Sequence, residues 1–310
     1  MEPSDMSLRV FVTGASGYVG SAVAARLARA GHEVHGLTRH PERLSALVAL
    51  GVRAVPGDLA DRDSFLGTLQ NCDAAVHVAL DAAGGAAAHD QLALEAFRVA
   101  AQDGRIRRLL YTSGVWVHGD RHGAITDESS PIAPLPLVDW RAAHEEVALD
   151  LSEFEVSTVI LRPAIAYGES RGIIGAMWAE ARDKRRVTCP GDGSQIWSLV
   201  HREDVAEAYA LAMEHAPVGS RYLLADDQPL SVREVAGAIA RTTGVEATPW
   251  PREEVLEKLG PYGEALLSGA RVSATKARRE LGWVPRHPNF ANETEALYRE
   301  WQTSQGTPVA

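Results

Sequence analysis

The run Thr13-Gly14-Ala15-Ser16-Gly17-Tyr18-Val19-Gly20 holds the sharpest chemical signal in this 310-residue chain. Glycines let a backbone turn tightly and approach a diphosphate, and the N–H groups that open a following helix then face the anion. A glycine triplet alone would also suit any strand-to-helix turn. Here a strand is predicted before it and a helix after it, and Asp58 in Gly57-Asp58-Leu59 follows a third predicted strand. Together these features predict a dinucleotide site with Gly14, Ser16, Gly17, Tyr18 and Val19 as contacts.

The end of the second predicted strand bears on which dinucleotide. An acidic residue there suits a ribose 2′-hydroxyl, whereas arginine accommodates a 2′-phosphate. The chain reads Gly36-Leu37-Thr38-Arg39-His40, with Arg43 one turn further and no acid before Glu42. Arg39 could fork onto a phosphate or stack on adenine, a solvated surface arginine being the alternative. NADP(H) is the expected cofactor.

The elements that must position these residues alternate short apolar runs with amphipathic segments, the pattern of β-α-β units. Strands are predicted at 8–13, 33–38, 52–55, 74–78, 108–113 and 156–161. Helices are predicted at 18–30, 41–50, 89–102 and 142–151. The expected fold is a Rossmann-type, doubly wound parallel α/β sheet over residues 1–168. After Gly168, helices at 202–215 and 231–242 are broken by short strands and prolines. Residues 169–310 therefore read mainly as a smaller α/β substrate-binding domain, with chain crossovers between the two allowed.

Composition bounds the partners. Acidic residues outnumber basic ones 41 to 31, a net charge of -10, opposite to the usual bias of a nucleic-acid binder. Cys72 and Cys189 make neither a disulfide framework nor a zinc knuckle, and no His-Cys-Glu grouping has metal-ligand spacing. Met1–Asp5 has no signal-peptide character, and the apolar stretch 74–80 is too short to span a bilayer. A cytoplasmic protein acting on a small molecule is expected.

The spacing of Gly14, Gly17 and Gly20 resembles the T-G-x-x-G-x-x-G of extended short-chain dehydrogenases/reductases, the nucleotide-sugar epimerase/dehydratase superfamily. Further likenesses follow in family order: Asp58-Leu59, Val76-His77-Val78-Ala79-Leu80, Leu161-Arg162-Pro163 through Tyr167-Gly168, His201 to Ala206, and Leu281-Gly282-Trp283-Val284-Pro285. The resemblance implies adenine contact at Asp58, cofactor contacts at Leu59, Ala79, Leu80, Pro163, Ala164 and Ile165, and a homodimer through the helices before the fifth and sixth strands.

The chain departs from that family where the chemistry is done. Members use a Tyr-x-x-x-Lys pair, in which the lysine lowers the pKa of the tyrosine acid/base and holds the ribose. The three lysines, Lys184, Lys258 and Lys276, are preceded at that spacing by Glu180, Glu254 and Val272, so the motif is absent. If Glu145 matches the glutamate that follows the family lysine, Leu137 replaces the tyrosine and Arg141 the lysine. Arg141 could hold the ribose but stays protonated near neutral pH. His144 is titratable there, though a helix-surface histidine is the plainer reading. The family's catalytic hydroxyl position falls on Gly114, so Ser113 is the nearest hydroxyl. Ser113, Arg141 and Tyr167 are the catalytic candidates. The same motifs, with Arg141-Ala142-Ala143-x-Glu145-Glu146, resemble an atypical short-chain dehydrogenase-like subgroup that also lacks Tyr-x-x-x-Lys.

In Gly191-Asp192-Gly193-Ser194-Gln195-Ile196-Trp197, Ile196 and Trp197 stand where nucleotide-sugar enzymes carry a phosphate-gripping base. Ser113, Trp116 and Trp197 are the expected substrate contacts, and an uncharged or hydrophobic carbonyl compound fits best. Three readings remain: an NADP-dependent reductase, a non-enzymatic dinucleotide sensor, and a nucleotide-sugar epimerase or dehydratase.

Overall fold

Seven parallel strands form the central sheet: β1 (Arg9–Thr13), β2 (Glu33–Thr38), β3 (Arg53–Pro56), β4 (Ala74–His77), β5 (Arg108–Thr112), β6 (Ser157–Pro163) and β7 (Arg221–Leu224). Their order is β3-β2-β1-β4-β5-β6-β7, so the strand order reverses between β1 and β4. This is the doubly wound arrangement, and ligands of such sheets bind outside the carboxyl ends at the reversal. The computed structural model describes residues 7–81, 84–102, 105–226 and 228–306; Met1–Asp5 lies outside them. No helix among the described residues is long and apolar enough to cross a membrane.

The strands are apolar on both faces because helices cover both. Helix α1 (Tyr18–Arg29) and helix α5 (Arg202–His215) close one face over Val10, Val12, Val76, Leu110 and Val159. Helix α2 (Ala86–Gln102) and helix α3 (Arg141–Leu149) close the other over Phe11, Ala75, Leu109, Tyr111 and Ile160. The four predicted helices of the first half recur with shifted ends. The second is a 3-10 turn, Pro41–Arg43, leading into a short helix, Leu44–Ala49, because proline starts but cannot continue a hydrogen-bonded turn.

The expected boundary at Gly168 is crossed by the chain itself. β7 lies beyond it yet pairs in parallel with β6, Arg221 opposite Ile160, and α5 packs across α1. Beside the sheet stands a second cluster around helix α4 (Gly172–Lys184) and helix α6 (Val232–Thr243), filled by Trp178, Trp197, Ile239, Phe290 and Trp301.

Candidate functional site

The loop from β1 into α1 is shaped by its glycines. Gly14 has φ +67°, and a Cβ there would fall 2.6 Å from Ala79 Cα. The Gly17 N–H bonds the Gly14 carbonyl at 2.8 Å, which closes the turn. A Cβ on Gly20 would lie 2.0 Å from that same oxygen, so this third glycine serves the packing of α1 on the loop. Helix α1 opens with no side-chain cap and no acidic residue in its first turn. Its leading N–H groups and its dipole therefore suit an anion. These features fit a dinucleotide diphosphate.

The other expected cofactor residues gather on the same edge. Ser16 Oγ lies 2.9 Å from Thr38 Oγ1, joining the loop to β2. Arg39, just past β2, is half-exposed and reaches Asp81 Oδ2 at 3.3 Å. Arg43 donates to the Ser16 carbonyl at 3.2 Å. Arg171, at the start of α4, has its pKa lowered by burial and then by the charge of Arg43. Asp58 follows β3 and accepts the Ala60 N–H at 2.9 Å through Oδ1. Leu80 is exposed beyond β4, while Pro163, Ala164 and Ile165 end and follow β6. Two expectations change in kind. Tyr18 donates its hydroxyl to the Gly168 carbonyl at 2.7 Å, and Val19 packs into the core, which leaves their backbones for a ligand.

Arg141 reaches the end of β5, where Ser113 follows in the chain. Arg141, buried, donates to the Thr112 carbonyl at 2.7 Å, and its guanidinium lies 4.5 Å from the centre of the Trp140 ring. Ser113 is the next residue, and its Oγ is buried without a hydrogen-bond partner. An unmade hydrogen bond of this kind costs about 1–3 kcal/mol, so the hydroxyl suits a ligand oxygen. Helix α3 is pinned beside it by an ion pair between Glu145 and Arg162, 1% and 2% exposed, with Arg162 Nε donating to Glu145 Oε1 at 2.9 Å. Arg162 Nη1 donates to His118 Nε2 at 3.1 Å, and burial followed by the charge of Arg162 lowers the His118 pKa. The arginine of Leu161-Arg162-Pro163 thus sets the place of Arg141.

The geometry removes two residues from the reacting group. Tyr167 is fully buried and donates its hydroxyl to the His287 carbonyl at 3.0 Å, and burial raises its pKa, so it is a packing residue. Trp197 is 2% exposed inside the second cluster, so Ile196 rather than Trp197 faces the neighbouring cleft. Trp116 is partly buried where the clusters of both halves meet. That cleft, of about 550 Å³, takes Asp120 from the segment after the 115–118 turn, and neither Ser113 nor Arg141 is part of its lining. Its lining includes Asp120, His122, Asp192, Gln195, Ile196 and Arg252.

A buried polar cluster below this edge went unread in the sequence. His77, at the end of β4, bonds Thr13 Oγ1 at 2.8 Å and Asp90 Oδ1 at 2.9 Å. Asp90 Oδ2 accepts from Tyr111 Oη and from His144 Nδ1, each at 2.7 Å. His144 is therefore no free surface residue. The signal was present: Asp90 interrupts the apolar stripe Ala93, Leu94, Phe97, Ala100 and Ala101 of α2.

The profile of the NAD dependent epimerase/dehydratase family matches residues 10–225. The chain belongs to that family. A ketoreductase of Stigmatella aurantiaca, named for a 4-hydroxy-2-methyl-3-oxo-4-farnesyl-3,4-dihydroquinoline-1-oxide, is 29% identical over 90% of this chain and 92% of its own. A 2-alkyl-3-oxoalkanoate reductase of Stenotrophomonas maltophilia is 26% identical over 90% and 95%. Among solved structures, a dTDP-glucose 4,6-dehydratase of Streptomyces venezuelae with NAD bound superposes with a TM-score of 0.82. It is 23% identical and covers 96% of this chain and 98% of its own, a likeness of fold. Membership in this family and the reductase names support an oxidoreductase that uses a nicotinamide dinucleotide.

Proposed function

We propose that this epimerase/dehydratase-family protein is an NADP(H)-dependent reductase of a small carbonyl compound. The observation that carries the reading is the buried, unpartnered Ser113 hydroxyl, one residue past the Thr112 carbonyl that Arg141 grips, at the same end of the sheet as the glycine-rich loop. Gly14, Gly17 and the N-terminus of α1 would hold the diphosphate, and Arg39 with Arg43 would hold the 2′-phosphate. Asp58 and Leu59 would border the adenine, Arg141 would grip the nicotinamide ribose, and Leu80 with Pro163, Ala164 and Ile165 would border the ring. The cofactor, when bound, supplies a hydride.

Ser113 orients the substrate by donating its hydrogen to the carbonyl oxygen, which also polarises the C=O bond. Arg141 is permanently cationic, so it stabilises developing oxyanion charge without giving up a proton. The tyrosine of the family motif is missing, since Leu137 occupies its expected position, and Tyr167 is bonded elsewhere. The proton then comes from water or a neighbouring hydroxyl. Loss of a positioned acid costs about 10²–10⁴-fold, so turnover is slow.

The missing family tyrosine also favours a second reading, a dinucleotide-binding sensor without turnover. NADPH oxidation against a panel of aldehydes, ketones and activated alkenes separates the two. The reductase reading expects slow turnover, with Ser113→Ala lowering kcat more than it weakens NADPH binding and Arg141→Ala weakening both. Tight NADPH binding without turnover of any compound establishes the sensor.

A further inference from the structure

The carboxylate of Asp90 lies 3% exposed within an apolar helix face, where an ion is costly unless several donors meet it. Three do. His77 and Tyr111, at most 1% exposed, approach from β4 and β5, and His144 approaches from α3. Burial alone would raise the Asp90 pKa, but the charge of His77 and the hydrogen bonds from His144, His77 and Tyr111 hold it far below the usual carboxylate range. With Oδ1 on His77 and Oδ2 shared by the other two, the carboxylate is tied to two strands and one helix.

The two ends of this chain of bonds are what give it a function. At one end, His77 Nδ1 meets the Thr13 hydroxyl, one residue before Gly14 and its φ of +67°. At the other, His144 stands three residues along α3 from Arg141, which itself grips the end of β5. Apolar contacts between these elements would tolerate small slides, whereas hydrogen bonds of 2.7–2.9 Å weaken steeply when misaligned. A shift of the glycine-rich loop would therefore strain the bonds that lead to the helix carrying Arg141.

We propose that Asp90 is a positioning residue that couples the glycine-rich loop to Arg141, so that the diphosphate and ribose ends of the dinucleotide are gripped together. The proposal rests on the dinucleotide-binding reading above. The test is a double-mutant cycle on NADPH affinity, measured by calorimetry on the unaltered protein, Asp90→Asn, Arg141→Ala and the double variant, with the Tm of each recorded. Asp90→Asn should weaken NADPH about tenfold although the residue lies below the binding edge. Arg141→Ala should cost about tenfold in the native background and less than about threefold in Asp90→Asn, because the coupling is already broken.

Additive losses, with or without a lowered Tm, mean that Asp90 serves structure alone and overturn the coupling. If Asp90→Asn does not fold, His144→Gln cuts only the bond to α3 and should reduce the Arg141→Ala effect in the same way; an undiminished effect there overturns the proposal. Failure of the unaltered protein to bind either NADPH or NADH would instead overturn the dinucleotide reading itself, and the coupling with it.

Discussion

Arg39→Ala, paired with Asp81→Asn, tests the choice of cofactor. The Arg39 side chain is 45% exposed and already holds Asp81 Oδ2 at 3.3 Å, while Asp81 also meets His89 at 3.2 Å. A shielded hydrogen bond to a charged group contributes about 1.5–3 kcal/mol, and an exposed ion pair about 0–1 kcal/mol. A half-exposed arginine on a 2′-phosphate falls between, at about 1–2 kcal/mol, or about 5- to 30-fold in Kd. NADPH should bind more tightly than NADH by that factor, and Arg39→Ala should erase it while leaving NADH almost unchanged. Asp81 opposes the phosphate twice, by occupying the guanidinium and by like-charge repulsion. Asp81→Asn should therefore strengthen NADPH binding by about threefold, an effect that shrinks as salt is raised. Calorimetric titration of both cofactors at low and high salt reads these effects. Equal affinities for NADPH and NADH in the unaltered protein would refute the 2′-phosphate assignment, as would Arg39→Ala weakening both alike.

The glycines of the loop should divide by role: Gly20→Ala forces its Cβ onto the Gly14 carbonyl and should cost about 1–3 kcal/mol of stability. Gly17→Ala, 2.9 Å from the same oxygen, should lose NADPH affinity with a smaller drop in Tm, and a reversed order in melting and titration would reject this division. His201, buried against His287 with their rings 3.8 Å apart, has its pKa pushed down to about 3 by burial first and then by the charge of His287. An unfolded histidine takes up its proton near pH 6.5, so the stability His201 contributes is complete above that pH and is lost as pH falls toward 3. His201→Asn keeps an acceptor for the Glu203 N–H and removes the titration, so urea unfolding at pH 7 and pH 5 should differ by about 2 kcal/mol less than in the native protein. An unchanged difference would show that His201 does not carry it.

Local chemistry was legible in the amino-acid order wherever neighbouring residues make it. The glycine spacing after β1, the arginine after β2 and the acid after β3 each lie next to a strand end. Parallel strands bring their ends to one edge once their order is set, so these residues fall on one edge without further information. The missing Tyr-x-x-x-Lys was equally plain, since it is a statement about spacing alone.

What the sequence left undecided depends on packing between distant segments. Three apolar residues in β7 are too short a run to mark a strand, and only pairing with β6 makes them one. Tyr167 and Trp197 have side chains that suit either a site or a core, and burial against residues up to 120 positions away settled them as core. Asp90, His77, Tyr111 and His144 lie on four separate elements, and their meeting requires the sheet to align two strands under two helices. A charged residue on an apolar helix face signals that partners must exist, because an unpaired buried carboxylate is too costly to keep. Which partners those are is decided by the tertiary structure alone, because hydrogen bonds act over about 3 Å and the chain brings its ends that close only when folded.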